Sequence, residues 1–128
     1  MSAIGVARML VMSVSVVGLM VSAVAFARNL GQADQVASGA DAFARECARC
    51  HGEQAEGGIG SALDQPTLAT YRSVTGLSRF VRLSMPDDAP GSLDDQTYLD
   101  AIAFLLDLNG MNPDGVPIDS STDLALTN

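Results

Sequence analysis

Polar and apolar positions divide the chain into four stretches. From Met9 to Phe26 every residue is apolar or small, and Arg28-Asn29 then turns the chain polar. Between Arg28 and Ser38 apolar residues are few and show no clear period, which reads as a linker. Ala40, Phe43, Ala44 and Cys47 recur at helical spacing, so a helix is predicted from about Gly39 into Cys47, with Ser38 as its N-cap. Residues 52–70 hold Gly52, Gly57, Gly58, Gly60 and Pro66 and read as loop. A short helix capped by Thr75 is expected through Leu83, ended at Met85-Pro86 because the residue before proline is pushed out of the helical region. Residues 87–91 form a turn.

The clearest helical pattern lies further on. Ser92-Leu93-Asp94-Asp95 is close to a capping box, with Asp where Glu is usual. Tyr98, Ile102, Leu105 and Leu106 supply an apolar stripe, and Asn109-Gly110 is the expected stop. Pro113, Gly115 and Pro117 forbid regular structure afterwards. With no internal repeat and no convincing strand, the expected fold class is all-α with long loops. The expected boundaries are 1–27 leader, 28–38 linker, 39–111 domain and 112–128 tail.

The leader has one charge, Arg8, then the apolar run, then Ala25-Phe26-Ala27, the small-x-small pattern of a signal-peptidase site. It reads as a secretory signal peptide, so the folded part is expected in the periplasm. The alternative is a retained anchor, since a run of this length sits at the lower edge of what spans a bilayer.

Charge and composition narrow the function. The chain carries 7 Lys+Arg, every one of them Arg, against 15 Asp+Glu, for a net charge of −8. Nucleic-acid binding needs a cationic footprint and is excluded as a working class. There is no Trp, and the aromatic share is 5%. A domain of roughly a hundred residues with so few large side chains buries a marginal core unless a metal, a disulfide or a cofactor completes it. The 2 Cys and 1 His therefore carry the argument.

They fall together in Cys47-Ala48-Arg49-Cys50-His51. Two thiols three positions apart at a helix end can each add to one vinyl group of a haem, and the following His then sits beneath the iron as an axial ligand. Three other chemistries compete. A thioredoxin-like redox pair wants a βαβ context that these helical, glycine-rich flanks lack. A zinc site needs four ligands, more than the Cys and His of this chain provide. A disulfide closing so short a loop has little entropic benefit.

The stretch from Gly39 to Gly52 resembles the first helix and haem motif of class I cytochromes c, and Met85 to Gly110 resembles their ligand loop and last helix. The chain is particularly similar to small periplasmic cytochromes, and cytochrome domains, that serve quinoprotein or other periplasmic dehydrogenases. The resemblance implies helices and long loops wrapped around one covalently bound haem c. It implies thioethers at Cys47 and Cys50 and a proximal iron ligand in His51. It places Gly39 and Phe43 against Phe104 where the first and last helices cross. It assigns to Pro66 the carbonyl that accepts the second ring N–H of the ligand His, and to Leu68 a haem contact. Arg49, Arg79 and Arg82 are expected on solvated faces.

Met85 is expected as the sixth ligand. Once the leader is gone only Met85 and Met111 remain as thioethers, and no Lys can compete. Met111, after Gly110 at the end of the last helix, is expected to serve packing. The implied function is single-electron transfer, with no catalytic constellation in view. A periplasmic dehydrogenase is the expected donor, and an oxidase or another cytochrome the acceptor; a membrane is involved only if the leader is retained. A dedicated cytochrome subunit of a membrane-associated dehydrogenase complex is the alternative, and a haem sensor with an open sixth position a more distant one.

Overall fold

Five helices and a structured C-terminal segment build the domain in the computed structural model, which describes residues 31–112 and 114–127. The expected leader, and the first residues of the expected linker, lie outside that range. The helices are α1 over 31–46, α2 (Ala48–His51), α3 (Gln65–Ala69), α4 (Val74–Ser84) and α5 (Asp95–Leu108). Among the described residues there is no strand, only an isolated antiparallel bridge between Ser73 and Ala125. The fold is all-α.

Helix α5 runs through the centre. Tyr98, Leu99, Ala101, Ile102, Ala103, Leu105 and Leu106 are all buried, on more than one side of the helix. Its start is fixed by Asp94, whose carboxylate accepts from the Thr97 backbone N–H at 3.0 Å and the Thr97 hydroxyl at 2.6 Å. Its end is a Schellman motif. Gly110 takes φ +64°, its N–H donates to Asp107 O at 3.0 Å, and Met111 N–H donates to Leu106 O at 2.8 Å. The motif brings Met111 and Leu106 together as buried neighbours, which explains Met111 as packing.

Helix α1 crosses α5 at Gly39. A Cβ there would fall on the Asp100 backbone carbonyl and lie 2.9 Å from Phe104 Cβ, so only glycine permits this approach. One turn on, Phe43 and Phe104 pack with ring centroids 5.3 Å apart. The crossing is the one the family resemblance implies.

Several expectations are corrected. Residues 31–38 are helical and belong to α1, so Ser38 is an exposed position within the helix and no cap. The extra turns are anchored by an amide rather than an apolar stripe, which is why no period showed. Gln35 Nε2 donates to Ile118 O at 2.7 Å and Asp100 Oδ1 at 3.1 Å, and Gln35 Oε1 accepts from Ile118 N–H at 2.7 Å. The segment after Asn112 is irregular but is not a free tail. Ile118 and Leu126 are 2% exposed. Val74 N–H donates to Leu124 O and Leu126 N–H to Arg72 O, each at 2.9 Å, which straps the segment to the start of α4.

Helix α4 is capped by Ser73 rather than Thr75. Ser73 is extended (φ −150°, ψ 162°), and its hydroxyl accepts from Gly76 N–H at 3.2 Å. Thr75 instead donates to Asp123 in the strap at 3.1 Å. The helix ends at Met85, as expected.

Candidate haem site

Cys47 breaks the helical path between α1 and α2 with φ −120° and ψ −38°. The chain then turns once more through Ala48–His51 and stops at Gly52, which takes φ 82°. This single turn carries both thiols and the imidazole. Cys47 and Cys50 are free and partly buried. Burial is the main influence that pushes the Cys47 thiol up to about 11, with the negative charge of Glu46 and that of Cys50 adding to it. A cysteine held protonated in this way is unlike the activated thiolate of a redox CxxC pair. Among the described residues no group of three or more His, Cys, Asp or Glu is placed to hold a metal ion.

The loop after His51 folds back on it. Gly57 N–H donates to His51 O at 2.7 Å, and Gly60 N–H donates to Cys50 O at 2.8 Å. His51 Nδ1 lies 2.7 Å from the Ser61 carbonyl oxygen. A carbonyl only accepts, so Nδ1 carries the proton and donates, and Nε2 keeps its lone pair. The imidazole is thereby oriented and made a better σ-donor at Nε2.

The other expected site residues divide. Pro66 does not receive the ring N–H; Ser61 does. Pro66 is exposed in the first turn of α3, where a missing N–H costs nothing, behind an Asp64 cap that accepts from Thr67 N–H at 3.0 Å. The loop reaches the imidazole five residues earlier than the proline motif suggested. Leu68 is fully buried in the core.

Met85 is partly buried at the end of α4. Its carbonyl accepts from the Tyr98 hydroxyl at 2.8 Å and from Gly91 N–H at 3.3 Å, so the central helix and the far end of the turn both hold its backbone. Three residues on, Asp88 accepts from Arg49 at 2.7 Å. That contact ties the segment after Met85 to the turn bearing the two cysteines. Arg49 is exposed, as expected, but it is paired. Arg82 is also paired, with Asp95 at the start of α5. Tyr71 stacks on Phe80 with centroids 4.9 Å apart.

Ser61, Tyr98 and Asp88 were not picked out as site residues from the sequence. For Ser61 the only local signal is the glycine-rich run immediately before it. Tyr98 read as one member of an apolar stripe, and Asp88 fell within the turn expected over 87–91.

Two thiols on one turn, an imidazole of fixed tautomer and an apolar interior behind them fit a c-type haem. The donor set is that of a c-type cytochrome, and comparison with known families agrees. Residues 34–105, more than half of the chain, match the family described as cytochrome c oxidase, cbb3-type, subunit III, and the chain belongs to that family. It is a haem-binding electron-transfer cytochrome of the class I kind, and its cofactor is covalently bound haem c with iron. No curated protein and no solved structure matches the chain.

Proposed function

We propose that this cytochrome is a periplasmic one-electron carrier in which Cys47 and Cys50 tether the haem and His51 and Met85 ligate its iron. The observation that carries the reading is the Nδ1–H···O=C contact from His51 to Ser61, which leaves Nε2 free to bind metal beside two free thiols. Haem supplies the iron couple that holds the electron. His51 and Met85 are the residues that keep the same coordination in both oxidation states, which minimises reorganisation. With Met85 supplying a thioether and His51 an imidazole, the iron would favour the ferrous form relative to ligation by two imidazoles, and the potential would be comparatively high. Tyr98 and the Arg49–Asp88 pair hold the Met85 segment in register.

The partners are redox proteins, a periplasmic dehydrogenase as donor and an oxidase or another cytochrome as acceptor. No lysine ring guides docking, because the chain has no Lys. A net charge of −8 favours a partner with a positive patch, and association rates then fall as salt rises.

A second reading is a permanent subunit of a membrane-bound respiratory complex, favoured by the oxidase-subunit description of the family. Among the described residues no helix is long and apolar enough to cross a membrane, so an anchor in this chain would have to come from the retained leader. A pyridine haemochrome spectrum with the intact mass of the purified protein tests both. One haem on a chain starting near Arg28 supports the free carrier. A full-length chain that co-purifies with a larger subunit supports the complex, and absence of covalent haem overturns both. Prompt binding of CO to the ferrous protein would instead indicate the sensor.

A further inference from the structure

The glycine-rich loop after the haem motif does more than supply the Ser61 carbonyl. A Cβ placed on Gly60 would lie 2.8 Å from His51 Cε1, 2.9 Å from Nδ1 and 3.2 Å from Nε2. A side chain at this position would thus press on Nδ1, Cε1 and Nε2 of the ring together. Separations below 3 Å are far inside van der Waals contact, so a methyl group there forces one partner to move.

Neither partner is free to do so. Gly60 is pinned on both sides of its own backbone, its N–H donating to Cys50 O at 2.8 Å and its carbonyl accepting from Gly58 N–H at 2.9 Å. The ring is pinned at Nδ1 by Ser61, 2.7 Å away. Other glycines of the loop do not have this relation. A Cβ on Gly58 meets only Cys50 O, at 3.2 Å, and one on Gly57 meets the backbone of Ala62. The contact with the imidazole is particular to Gly60.

We infer that Gly60 is a positioning residue: its bare α-carbon sets the rotation of the His51 imidazole about the Cβ–Cγ bond, and with it the plane of the proximal iron ligand. The hydrogen bond to Ser61 selects the tautomer and the donor strength, while Gly60 fixes the angle. The inference rests on the reading of His51 as the proximal ligand.

The angle can be read without any measurement of electron transfer. In a ferric low-spin haem the plane of the axial imidazole, together with the orientation of a thioether ligand, sets how unpaired spin is shared among the pyrrole rings, and so the pattern of the haem methyl proton shifts. In holoprotein matured by export, Gly60→Ala keeps covalent haem in the pyridine haemochrome assay but alters the order or spread of the methyl resonances and shifts the midpoint potential. Ile59→Ala is the control, because that side chain is 87% exposed and adjoins Gly60 in the same loop; it leaves the methyl pattern unchanged.

A second measurement needs no variant. In the diamagnetic ferrous wild-type protein, a Gly60 Hα gives a strong nuclear Overhauser effect to His51 Hε1. An unaltered methyl pattern in Gly60→Ala overturns the inference, and so does absence of that effect in the wild type, including when the variant fails to accumulate. A wild-type protein without covalent haem would overturn the reading of the site, and the inference with it.

Discussion

Arg49 and Asp88 meet across 2.7 Å, joining the turn that bears both cysteines to the segment that follows Met85. Both side chains are largely exposed, 72% and 62%, so the pair contributes little to global stability. With Met85 as the proposed sixth ligand, its leverage would be local, because it ties down the segment that has to move for Met85 to leave the iron. Asp88→Asn is expected to leave the melting temperature almost unchanged and to raise the affinity of the ferric protein for exogenous imidazole, by up to about fivefold. High salt should bring the wild type toward the variant. Imidazole titrations at low and high ionic strength check this, and equal affinities at low salt would remove the latch role.

The two methionines of the described domain should separate cleanly. Met85→Ala should abolish the near-infrared sulfur-to-iron charge-transfer band of the ferric protein, open the ferrous iron to CO and lower the potential. Met111 is 8% exposed and packs in the core beyond the Schellman turn. Met111→Ala should keep all three properties and cost about 2–5 kcal/mol of stability, as buried methionine truncations do. Retention of the band in Met85→Ala would exclude Met85 as the ligand.

The C-terminal strap is part of the folding unit. Ile118 is 2% exposed and its backbone is clamped by Gln35. Ile118→Ala should destabilise the domain by about 2–5 kcal/mol through the cavity it leaves. Gln35→Ala strands the N–H and carbonyl of Ile118 and should cost about 1–3 kcal/mol. The two residues share one contact, so the double variant should lose less than the sum of the single losses. Additivity in denaturant unfolding would show that the clamp does not hold the strap.

Asp94 makes the start of α5 sensitive to acid. The Thr97 hydroxyl and N–H hold its carboxyl below the ordinary value, because they donate to the ionised form. A depressed folded-state value means stabilisation that is complete above the unfolded value and lost as pH falls through the folded one. The wild type should therefore lose stability below about pH 4. Asp94→Asn retains a neutral cap and should show a shallower acid dependence, whereas Asp94→Ala should melt lower at neutral pH as well. Parallel melting curves against pH for wild type and Asp94→Asn would refute the assignment.

How much of this was legible beforehand follows from how local each feature is. The haem motif, the end of α4 at Met85 and the stop at Gly110 were readable from the residues, and the Gly39–Phe104 crossing from the family resemblance. The first three depend on a special residue type at a fixed place: paired thiols with a following His, a residue before proline, a glycine just past the last helical residue. The cap of α4 was displaced by two residues because Ser73 and Thr75 have equivalent chemistry. Only the extended backbone of Ser73, held by the strap, chose between them.

The remainder rested on groups that carry no residue signature. A backbone carbonyl orients His51, and any residue can supply one, so the loop's path rather than its composition selected Ser61 over Pro66. Residues 31–38 looked featureless because their anchor, Gln35, finds its partners 65 and 83 positions away. The strap lacks a periodic apolar face and is held by Ile118, Leu126 and two backbone hydrogen bonds to the start of α4. Covalent attachment chemistry and helix punctuation act within a turn or two of chain and can be read from it. The tether on the Met85 segment and the closing of the C-terminus arise between segments distant in sequence, where folding alone brings the partners within hydrogen-bonding reach.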